Sequence, residues 1–571
     1  MIKKVRVTDL KEFKRLVSNV VAAGTLPELN LSNIKFHIQD CSTFQIDEIF
    51  SKNGCGRISN SLGKYKLINL SGWDFSDIQP PQSEERGVSI AGKLLDLKEV
   101  KEFPLKIDVS NWKFGKNVWA LRSIFEGFDN SNIILVGLST WDVSGISDMT
   151  RLFADFRATI SDNIGNWNVS NLERGSQMFK GVTSSNLLEG LDRWNLRSLK
   201  YSDEMFMRCS DFCIDTSNWN IEGIKVANNM FNWATINQGS NLSGIKFNTK
   251  HCDAVSIFHR AIINSAKGID SWNVKGIVSM SEMFSFAIIT DPSFNINNWD
   301  VSGSESMKSM FKGVRPVDGI VIDLSNWNTR NVESMIETFA SIEKLGTSII
   351  GLDKLSTSNV VSLSSVFEKS IFNGPINLEK WKVSKVISMD SIFHCTITNG
   401  YLSGIEKWKT GNLRSLDYAF SSSDIDCDVS EWKTSKVTSI RGILSNSENY
   451  IDISNWNVSK VRDADYAFFN YRHNVDISKW KTSSLVTASY FMAGASELDP
   501  DLSGWKDDVS NLRHMYCMFS KKFTHYSSLE DWKLSANLDL ESRIEAFYGK
   551  HRASNLPWWA RKSQKVILAR L

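Results

Sequence analysis

Six lysines directly follow tryptophans in the C-terminal half of the chain, and their ammonium groups could bind negative charge. They are Lys382, Lys409, Lys433, Lys481, Lys506 and Lys533. The equivalent position earlier in the chain holds aspartate or asparagine, as at Asp142 and Asn168. If the repeats stack, these lysines align along one edge, where like charges cost some stability. Binding of an acidic protein or a polyanion would give the edge a function, and a solvated edge that deters aggregation is the alternative.

A second column, four residues before the tryptophans, contains aspartates that could bind calcium. Its aspartates are Asp108, Asp215, Asp323, Asp428, Asp452, Asp476 and Asp501. Asparagine or glycine replaces them elsewhere, as at Asn163 and Gly137. A calcium site needs the oxygen ligands that glycine side chains lack. Since Asp, Asn and Gly all tolerate left-handed backbone, we interpret the column as turn positions.

The sequence lacks the motifs that assemble catalytic groups. It contains no phosphate-binding G-x-x-x-x-G-K-[ST], no G-x-G-x-x-G after a strand, no H-E-x-x-H and no G-x-S-x-G. Its eight histidines fall in different repeats without a recurrent acid or cysteine partner, and its eight cysteines form no C-x-x-C pair. We therefore expect a non-enzymatic protein with no cofactor and no metal.

One repeating phrase must position all of these residues, and in sixteen cases a tryptophan heads it. The heads are Trp73, Trp112, Trp141, Trp167, Trp194, Trp219, Trp272, Trp299, Trp327, Trp381, Trp408, Trp432, Trp456, Trp480, Trp505 and Trp532. Most lie 24 to 28 residues apart, and Ile34, Ile245 and Leu355 head three further phrases, which makes nineteen. A period of this length predicts a solenoid in which each unit buries its apolar side against the next.

The phrase at 451–468, IDISNWNVSKVRDADYAF, shows what one unit contains. Apolar and polar residues alternate around Trp456, which predicts a short strand. Ser459 then stands where a helix N-cap would be, and Val461, Ala464 and Phe468 follow on one helical face. Phenylalanines recur twelve residues after most heads, so we expect one buried column of indoles and another of phenyl rings. Each unit is predicted to be a strand followed by a short helix.

Phrases such as VDISKWKTSSLVTASYF and LSTWDVSGISDMTRLF resemble the BspA-like leucine-rich-repeat surface-protein family. The resemblance covers about residues 110 to 520 and rests on six or more positions that recur together. It implies a curved β-solenoid used for binding, in proteins often displayed on bacterial or mycoplasmal surfaces and also found in phage-like genomes. It implies no catalytic residues.

The predicted organisation is a curved, leucine-rich-repeat-like solenoid with helical caps at both ends. We expect an N-terminal cap helix at 1–25, a solenoid of about nineteen repeats at 26–535 and a C-terminal helical cap at 536–571. The longest interval between heads, from Trp73 to Trp112, predicts an insertion near 78–103 with a short helix around 94–100.

Overall charge and hydropathy give little indication of a nucleic-acid or membrane partner. The 66 basic and 64 acidic residues nearly balance, which favours neither nucleic acid nor an acidic membrane. Asp9, Lys11 and Glu12 interrupt the apolar residues of the amino terminus, so we expect a capping helix there rather than a signal peptide. No stretch approaches the roughly eighteen apolar residues of a membrane span. A cytoplasmic location is expected, with the cell surface or a virion as the alternative.

Three further groups of residues depart from the repeat and are candidate contacts for a partner. The candidate residues are Pro81, Glu84, Glu85 and Arg86 in the insertion, the off-beat Trp119 and Trp233, and Trp558 and Trp559 near the carboxyl terminus. The insertion could be a binding loop or a neutral addition. The two off-beat indoles could stack on sugars if they are exposed. The basic terminal segment could bind a membrane or nucleic acid, or cover the last strand.

These features favour a repeat protein that binds another protein along the lysine edge or through the insertion. It could act as an inhibitor or scaffold encoded by a phage or mobile element. An adhesin that recognises a host protein or glycan, and a polyanion binder that uses the lysine edge, are the two alternatives.

Overall fold

Short parallel strands, stacked coil on coil, make up most of the regular structure of the chain. The computed structural model describes residues 5–23, 28–47, 65–95, 104–183, 185–210, 212–374, 376–399, 402–547 and 556–561. Contacts divide the chain into unit 1, which comprises Met1–Val278 and Phe286–Trp299, and unit 2, which comprises Ser279–Ser285 and Asp300–Leu571. Each unit by itself is a parallel β-solenoid, so the predicted repeat solenoid is confirmed.

The strands are two to five residues long. In chain order they are β1 (Val5–Val7), β2 (Glu28–Asn30), β3 (Ile34–Phe36), β4 (Thr43–Gln45), β5 (Leu67–Asn69), β6 (Val88–Ala91), β7 (Leu105–Asp108), β8 (Val118–Arg122), β9 (Ile133–Val136), β10 (Thr159–Ile160), β11 (Thr235–Ile236), β12 (Cys252–Asp253), β13 (Ile262–Ile263), β14 (Ile277–Ser279), β15 (Ile288–Ile289), β16 (Arg315–Pro316), β17 (Ile322–Asp323), β18 (Ile349–Ile350), β19 (Ile371–Phe372), β20 (Ile376–Asn377), β21 (Ile397–Thr398) and β22 (Leu402–Ser403). The α-helices are α1 (Leu10–Ala23) and α2 (Leu540–Ile544). Single 3-10 turns lie at Leu138–Thr140, Ser185–Leu187, Leu191–Arg193, Ile269–Ser271, Leu352–Lys354, Ile405–Lys407, Ser503–Trp505 and Tyr526–Leu529.

Two of the sheets in unit 1 run along the stack of coils. One has five parallel strands in the order β10-β9-β7-β5-β2, and the other has three in the order β4-β6-β8. Ile107 in β7 pairs with Ile68 of β5 and Leu135 of β9, and all three side chains are buried. The β6 strand lies inside the predicted insertion and pairs with β4 and β8, so this part of the insertion belongs to a regular coil.

Unit 2 holds its coils in register mainly through single-residue parallel bridges. One row of bridges links successive coils at Ser306, Ser334, Ser362, Ser388, Ser415, Ser439, Asp463, Thr487 and His514. Paired strands add to this row, as where β17 pairs with β18 and β20 pairs with β22. The bridged and paired residues of one coil therefore lie beside their counterparts in the next coil.

The tryptophan heads form buried columns within each unit. In unit 1 the Trp112 ring lies 5.2 Å from Trp73 and 4.9 Å from Trp141, nearly parallel to both. In unit 2 the Trp432 ring lies 5.9 Å from Trp408 and 6.2 Å from Trp456. Most indole N–H groups also donate to a carbonyl of the preceding coil. These contacts give each unit a continuous aromatic core, as the sequence predicts.

The short helix predicted for each repeat is wrong. In the Trp456 coil, the N–H groups of Ala464, Tyr466 and Phe468 donate to carbonyls of the next coil at 3.0, 2.9 and 2.7 Å. The intervening Ala467 N–H donates only three residues back, to Ala464 at 3.2 Å. An α-helix requires each N–H to donate four residues back. The next coil supplies about half of the acceptors, so the segment forms tight turns instead.

The serine expected to cap that helix has a different role. The Ser459 N–H and hydroxyl both donate to Asn457 Oδ1, at 3.1 and 2.7 Å. Ser170 makes the same pair of contacts with Asn168. The side chain after the tryptophan thus closes a small turn, and the serine is its donor rather than a helix cap.

Two left-handed positions, four residues apart, recur in most coils and explain why no helix forms. The first is occupied by Arg151, Gln177, Glu204, Asn229, Ser256, Glu282, Ser309, Glu337, Ser365, Ser391, Tyr418, Tyr466 and Tyr490, and the second by Asp155, Arg208, Trp233, Arg260, Phe286, Ser341, Lys369, Cys395, Ser422, Asn446 and Asn470. Glycine replaces them at a few places, including Gly181 and Gly442. Positive φ is uncommon for residues other than glycine. Neither residue type nor apolar spacing signals it here.

The predicted helical caps at both ends are not confirmed. The α1 helix belongs to the first coil: it follows β1, which pairs with β3, and its Phe13 packs 5.4 Å from Phe36 and 5.9 Å from Trp73. At the other end, α2 has only five residues and residues 558–561 form a single further turn. The remainder of the predicted C-terminal cap, and residues 96–103 of the insertion, lie outside the described residues.

Trp480 provides a test of what the indole hydrogen bond contributes. Trp456 Nε1 donates to the Val429 carbonyl at 3.0 Å, whereas Trp480 Nε1 is buried and has no acceptor among the described residues. Replacing Trp456 with phenylalanine should lower the free energy of unfolding by about 1 kcal/mol more than the same change at Trp480, because only the former loses a buried hydrogen bond. Urea unfolding of the two variants measures the difference. Equal losses would contradict this assignment.

Candidate partner-binding surface

The six lysines after tryptophans form an exposed row on unit 2, which we call the lysine row. Each preceding tryptophan is buried and each lysine is exposed. In the extended segments the alternation of side chains directs the lysine outward, whereas Lys506 follows the 3-10 turn Ser503–Trp505. The row is interrupted once, at Asn457, which occupies the same place in the Trp456 coil. The structure therefore places Lys382, Lys409 and Lys433 on three consecutive coils, as the sequence predicts.

Buried threonines fix the backbone of the row. Thr357 and Thr410 lie two residues after their own coil heads, where their hydroxyls point to the next coil. The Lys382 N–H donates to Thr357 Oγ1 at 2.7 Å, and the Lys433 N–H donates to Thr410 Oγ1 at 2.7 Å. These bonds hold the backbone of Lys382 and Lys433 in place. The equivalent Thr482 hydroxyl, on the coil before Lys506, is buried and has no partner among the described residues.

Only part of the row's charge is neutralised within the protein. Lys533 lies 2.6 Å from Asp507, and this hydrogen-bonded ion pair raises the pKa of Lys533 and lowers the pKa of Asp507. Lys433 lies 3.9 Å from Glu431, with both side chains largely exposed. Among the described residues, no carboxylate forms an ion pair with Lys382, Lys409, Lys481 or Lys506. Four ammonium groups are therefore available to an external acid.

Further basic residues lie on the same coils and were missed by the sequence reasoning. Exposed cations recur four residues after the heads, at Lys385, Lys436 and Lys460, and six residues after them, at Arg414 and Arg462. Two of them are held in place, since Lys385 Nζ donates to Asn359 Oδ1 and Lys436 Nζ donates to Asn412 Oδ1, both at 2.6 Å. Their recurrence at two fixed offsets from the heads was the signal that could have identified them.

The aspartate column consists of turn positions, as predicted. Asp428 Oδ1 accepts the N–H of Ser430 at 2.9 Å, and Asp323 Oδ1 accepts the N–H of Ser325 at 2.8 Å. Where glycine takes the position, it is left-handed, as at Gly137 with φ of 94°. The described residues include no group of three His, Cys, Asp or Glu side chains that could hold a metal ion.

The insertion on unit 1 folds back over Trp119. The Glu84 N–H donates to the Pro81 carbonyl at 3.0 Å, which closes a turn, and Glu85 lies exposed at its tip. The Arg86 guanidinium then lies 5.9 Å from the Trp119 ring centroid, and the Arg122 guanidinium lies 4.9 Å from it. Trp119 is therefore half-buried under two cations rather than an open aromatic platform.

Trp233, also on unit 1, is the more accessible of the two off-beat indoles. Half of its surface is exposed, at 50%. It occupies the second left-handed position of its coil, with φ of 59°. The sequence predicted a possible contact surface here, but neither its backbone conformation nor its neighbours across the coils.

The two carboxyl-terminal tryptophans have opposite environments. Trp559 is 1% exposed, and its Nε1 donates to the Leu529 carbonyl at 3.1 Å, the bond that a further head of the indole column would make. Its assignment as a partner contact is therefore wrong, because the ring is buried in the core. Trp558 is 52% exposed and donates through Nε1 to the Glu530 carbonyl at 3.0 Å. Among described residues, no helix is both long and apolar enough to cross a bilayer.

Comparison with known proteins gives a family but no individual relative. One family model matches the chain five times, at residues 119–244, 252–376, 315–403, 372–474 and 446–555. No curated protein and no solved structure matches the chain. The five matches cover well over half of the sequence and span the repeats of both units. The chain belongs to the family described as Mycoplasma protein of unknown function, DUF285.

Proposed function

We propose that this protein is a non-enzymatic repeat protein that binds an acidic partner protein along the lysine row of unit 2. The observation that carries the proposal is the row itself: six exposed lysines at one position of the coil, four of them without an ion pair among the described residues. Like charges at this spacing repel, so the arrangement lowers stability unless a partner offsets it. We further propose that the repeats are of the BspA-like kind, on the strength of the shared phrases.

The electrostatic character of the row indicates the kind of partner. A complementary acidic surface would be steered to the row and held in register with the coils. The extended row also offers more contact positions than a compact pocket, which suits a protein interface of about 800 Å² per partner. Three further exposed cations of unit 2 add positive charge to these coils, namely Lys385, Lys436 and Arg414.

Affinity capture tests the proposal directly. The full chain is tagged and used to capture proteins from its native host, in parallel with a Lys382→Glu/Lys409→Glu/Lys433→Glu variant. The matched control is Lys116→Glu/Lys246→Glu/Lys250→Glu, which makes the same charge change at exposed lysines of unit 1. We expect one acidic protein to be captured by the native chain and the control but lost by the first variant. Equal capture by all three would contradict the proposal.

A linear polyanion is the second candidate, because the row repeats at the regular spacing of the coils. A polyanion that binds the lysines would release many of its counterions, so its affinity would fall steeply as the salt concentration is raised. A folded acidic partner, which also makes apolar contacts, would show a shallower salt dependence. Binding of heparin or polyphosphate that equals or exceeds binding of the captured protein at physiological salt would favour the polyanion.

A further inference from the structure

Three side chains on neighbouring coils of unit 1 form an exposed stack of two aromatic rings and one cation, which we call the Arg260 stack. The Arg260 guanidinium lies 4.8 Å from the Trp233 ring centroid and 5.3 Å from the Phe286 ring centroid. At both distances the face of an aromatic ring attracts a guanidinium cation. A guanidinium held against rings in this way can still donate its N–H groups to a ligand.

The donors of Arg260 have no acceptor among the described residues. It forms no hydrogen bond or ion pair with any of them through its guanidinium. Planar guanidinium groups bind carboxylates through two parallel N–H···O bonds, and holding the group in place beforehand reduces the entropy lost on binding. Arg208, exposed on the coil before Trp233, adds a second cation on the same side. The stack is thus prepared for a carboxylate.

The fold does not require these residues. The same place in three consecutive coils is occupied by Gly181, Arg208 and Trp233. Their N–H groups donate at 2.7–2.8 Å to the carbonyls of Met207, Asn232 and His259, respectively. Each of these carbonyls belongs to the residue just before the equivalent position of the next coil. All three positions are left-handed, a conformation that glycine adopts without strain and that costs a bulky residue stability. Trp233 gains little burial in return, because half of its surface remains exposed. A tryptophan at this place is explained by recognition better than by packing.

The surroundings of the stack indicate a small ligand. Trp233 and Phe286, at 50% and 37%, are the only exposed large apolar side chains in the described part of unit 1. A protein interface has an apolar centre of many residues, which this surface lacks. Three adjacent coils span about 10 Å at inter-strand spacing, the size of one or two sugar rings. An indole face packs against the apolar face of a pyranose, and Arg260 supplies the matching charge for a carboxylate on that ring.

We propose that the Arg260 stack binds a carboxylated sugar, with the pyranose ring against Trp233 and its carboxylate on Arg260. Phe286 holds the guanidinium from the other side. This site is on unit 1 and is independent of the lysine row of unit 2, so either proposal can fail without the other.

Isothermal titration calorimetry of the full chain tests the site with defined probes. The carboxylated probes are a galacturonic acid hexamer and sialyllactose, and the neutral probes are a galactose oligomer and lactose. We expect at least one carboxylated probe to bind about tenfold more tightly than its neutral counterpart. Trp233→Gly and Arg260→Gly should each weaken that binding about tenfold or more, while Arg197→Gly, at another exposed arginine of unit 1, should leave it unchanged.

Glycine is chosen because the equivalent position already holds Gly181, so the variants retain a conformation that the coil accepts. Thermal unfolding should confirm that they are as stable as the native chain. The proposal is overturned if neither carboxylated probe binds more tightly than its neutral counterpart. It is also overturned if both glycine variants bind normally, or if poly-glutamate binds to the same residues as tightly as the sugars, since the ligand would then be a peptide carboxylate.

Discussion

Replacing Trp432 with alanine is expected to lower the free energy of unfolding of unit 2 by about 4 kcal/mol. The indole is 3% exposed, lies between Trp408 and Trp456 at 5.9 and 6.2 Å, and donates to the Ile405 carbonyl at 2.9 Å. The substitution removes a large buried ring, leaves a cavity and deprives a buried carbonyl of a donor. Urea unfolding followed by tryptophan fluorescence measures the loss.

A matched substitution distinguishes a buried indole of the column from an exposed indole. Trp233→Ala removes the same side chain from an exposed site, so its effect should stay within about 1 kcal/mol. In a solenoid each coil contacts only its neighbours, so the Trp432 variant should also unfold in a broader transition as adjacent coils uncouple. Two variants of equal stability would contradict a buried indole column.

The Lys382→Glu/Lys409→Glu/Lys433→Glu variant is expected to bind the captured partner at least 100-fold more weakly than the native chain. Each reversal replaces an attraction by a repulsion, and about 1 kcal/mol per site gives about 3 kcal/mol in total. Since 1.4 kcal/mol corresponds to a tenfold change, that sum is about 100-fold. Biosensor kinetics at two salt concentrations should show most of the loss in the association rate at low salt.

The unit 1 control, Lys116→Glu/Lys246→Glu/Lys250→Glu, has the same net charge as that variant. Its affinity should therefore remain within about threefold of the native value if the row itself is the site. An equal loss in the control would mean that only overall charge matters, and no loss in either would exclude the row. The free energy of unfolding of both variants should remain within about 1 kcal/mol of the native value, because all six positions are exposed.

Features that depend on periodicity alone could be predicted from the sequence. The spacing of the heads placed Trp112 and Trp432 in buried columns, and the interchange of Asp, Asn and Gly identified turns at positions such as Asp428 and Gly137. The outward direction of Lys382 followed from its place after a buried residue. The same spacing could have identified Trp559, which lies 27 residues after Trp532, but the neighbouring Pro557 and Trp558 suggested a surface helix instead.

Features that depend on contacts between coils could not be predicted from the sequence. Val461, Ala464 and Phe468 have the spacing of a helical face, yet the carbonyls of the next coil accept half of the N–H groups in that segment. Tyr466 and Lys369 adopt a left-handed backbone that their residue types do not indicate. Likewise, nothing local distinguishes Trp119, covered by Arg86 and Arg122, from the more open Trp233.

Each coil bonds its backbone to the next coil instead of forming its own helix. Amide I infrared spectroscopy of the full chain tests this bonding most directly, because stacked indoles do not disturb that band as they disturb ultraviolet circular dichroism. The spectrum should be dominated by β-structure and turns, with under about a tenth helix, since α1 and α2 contribute 14 and 5 residues. A helical share near a quarter, as one helix per repeat would give, would contradict this bonding between coils.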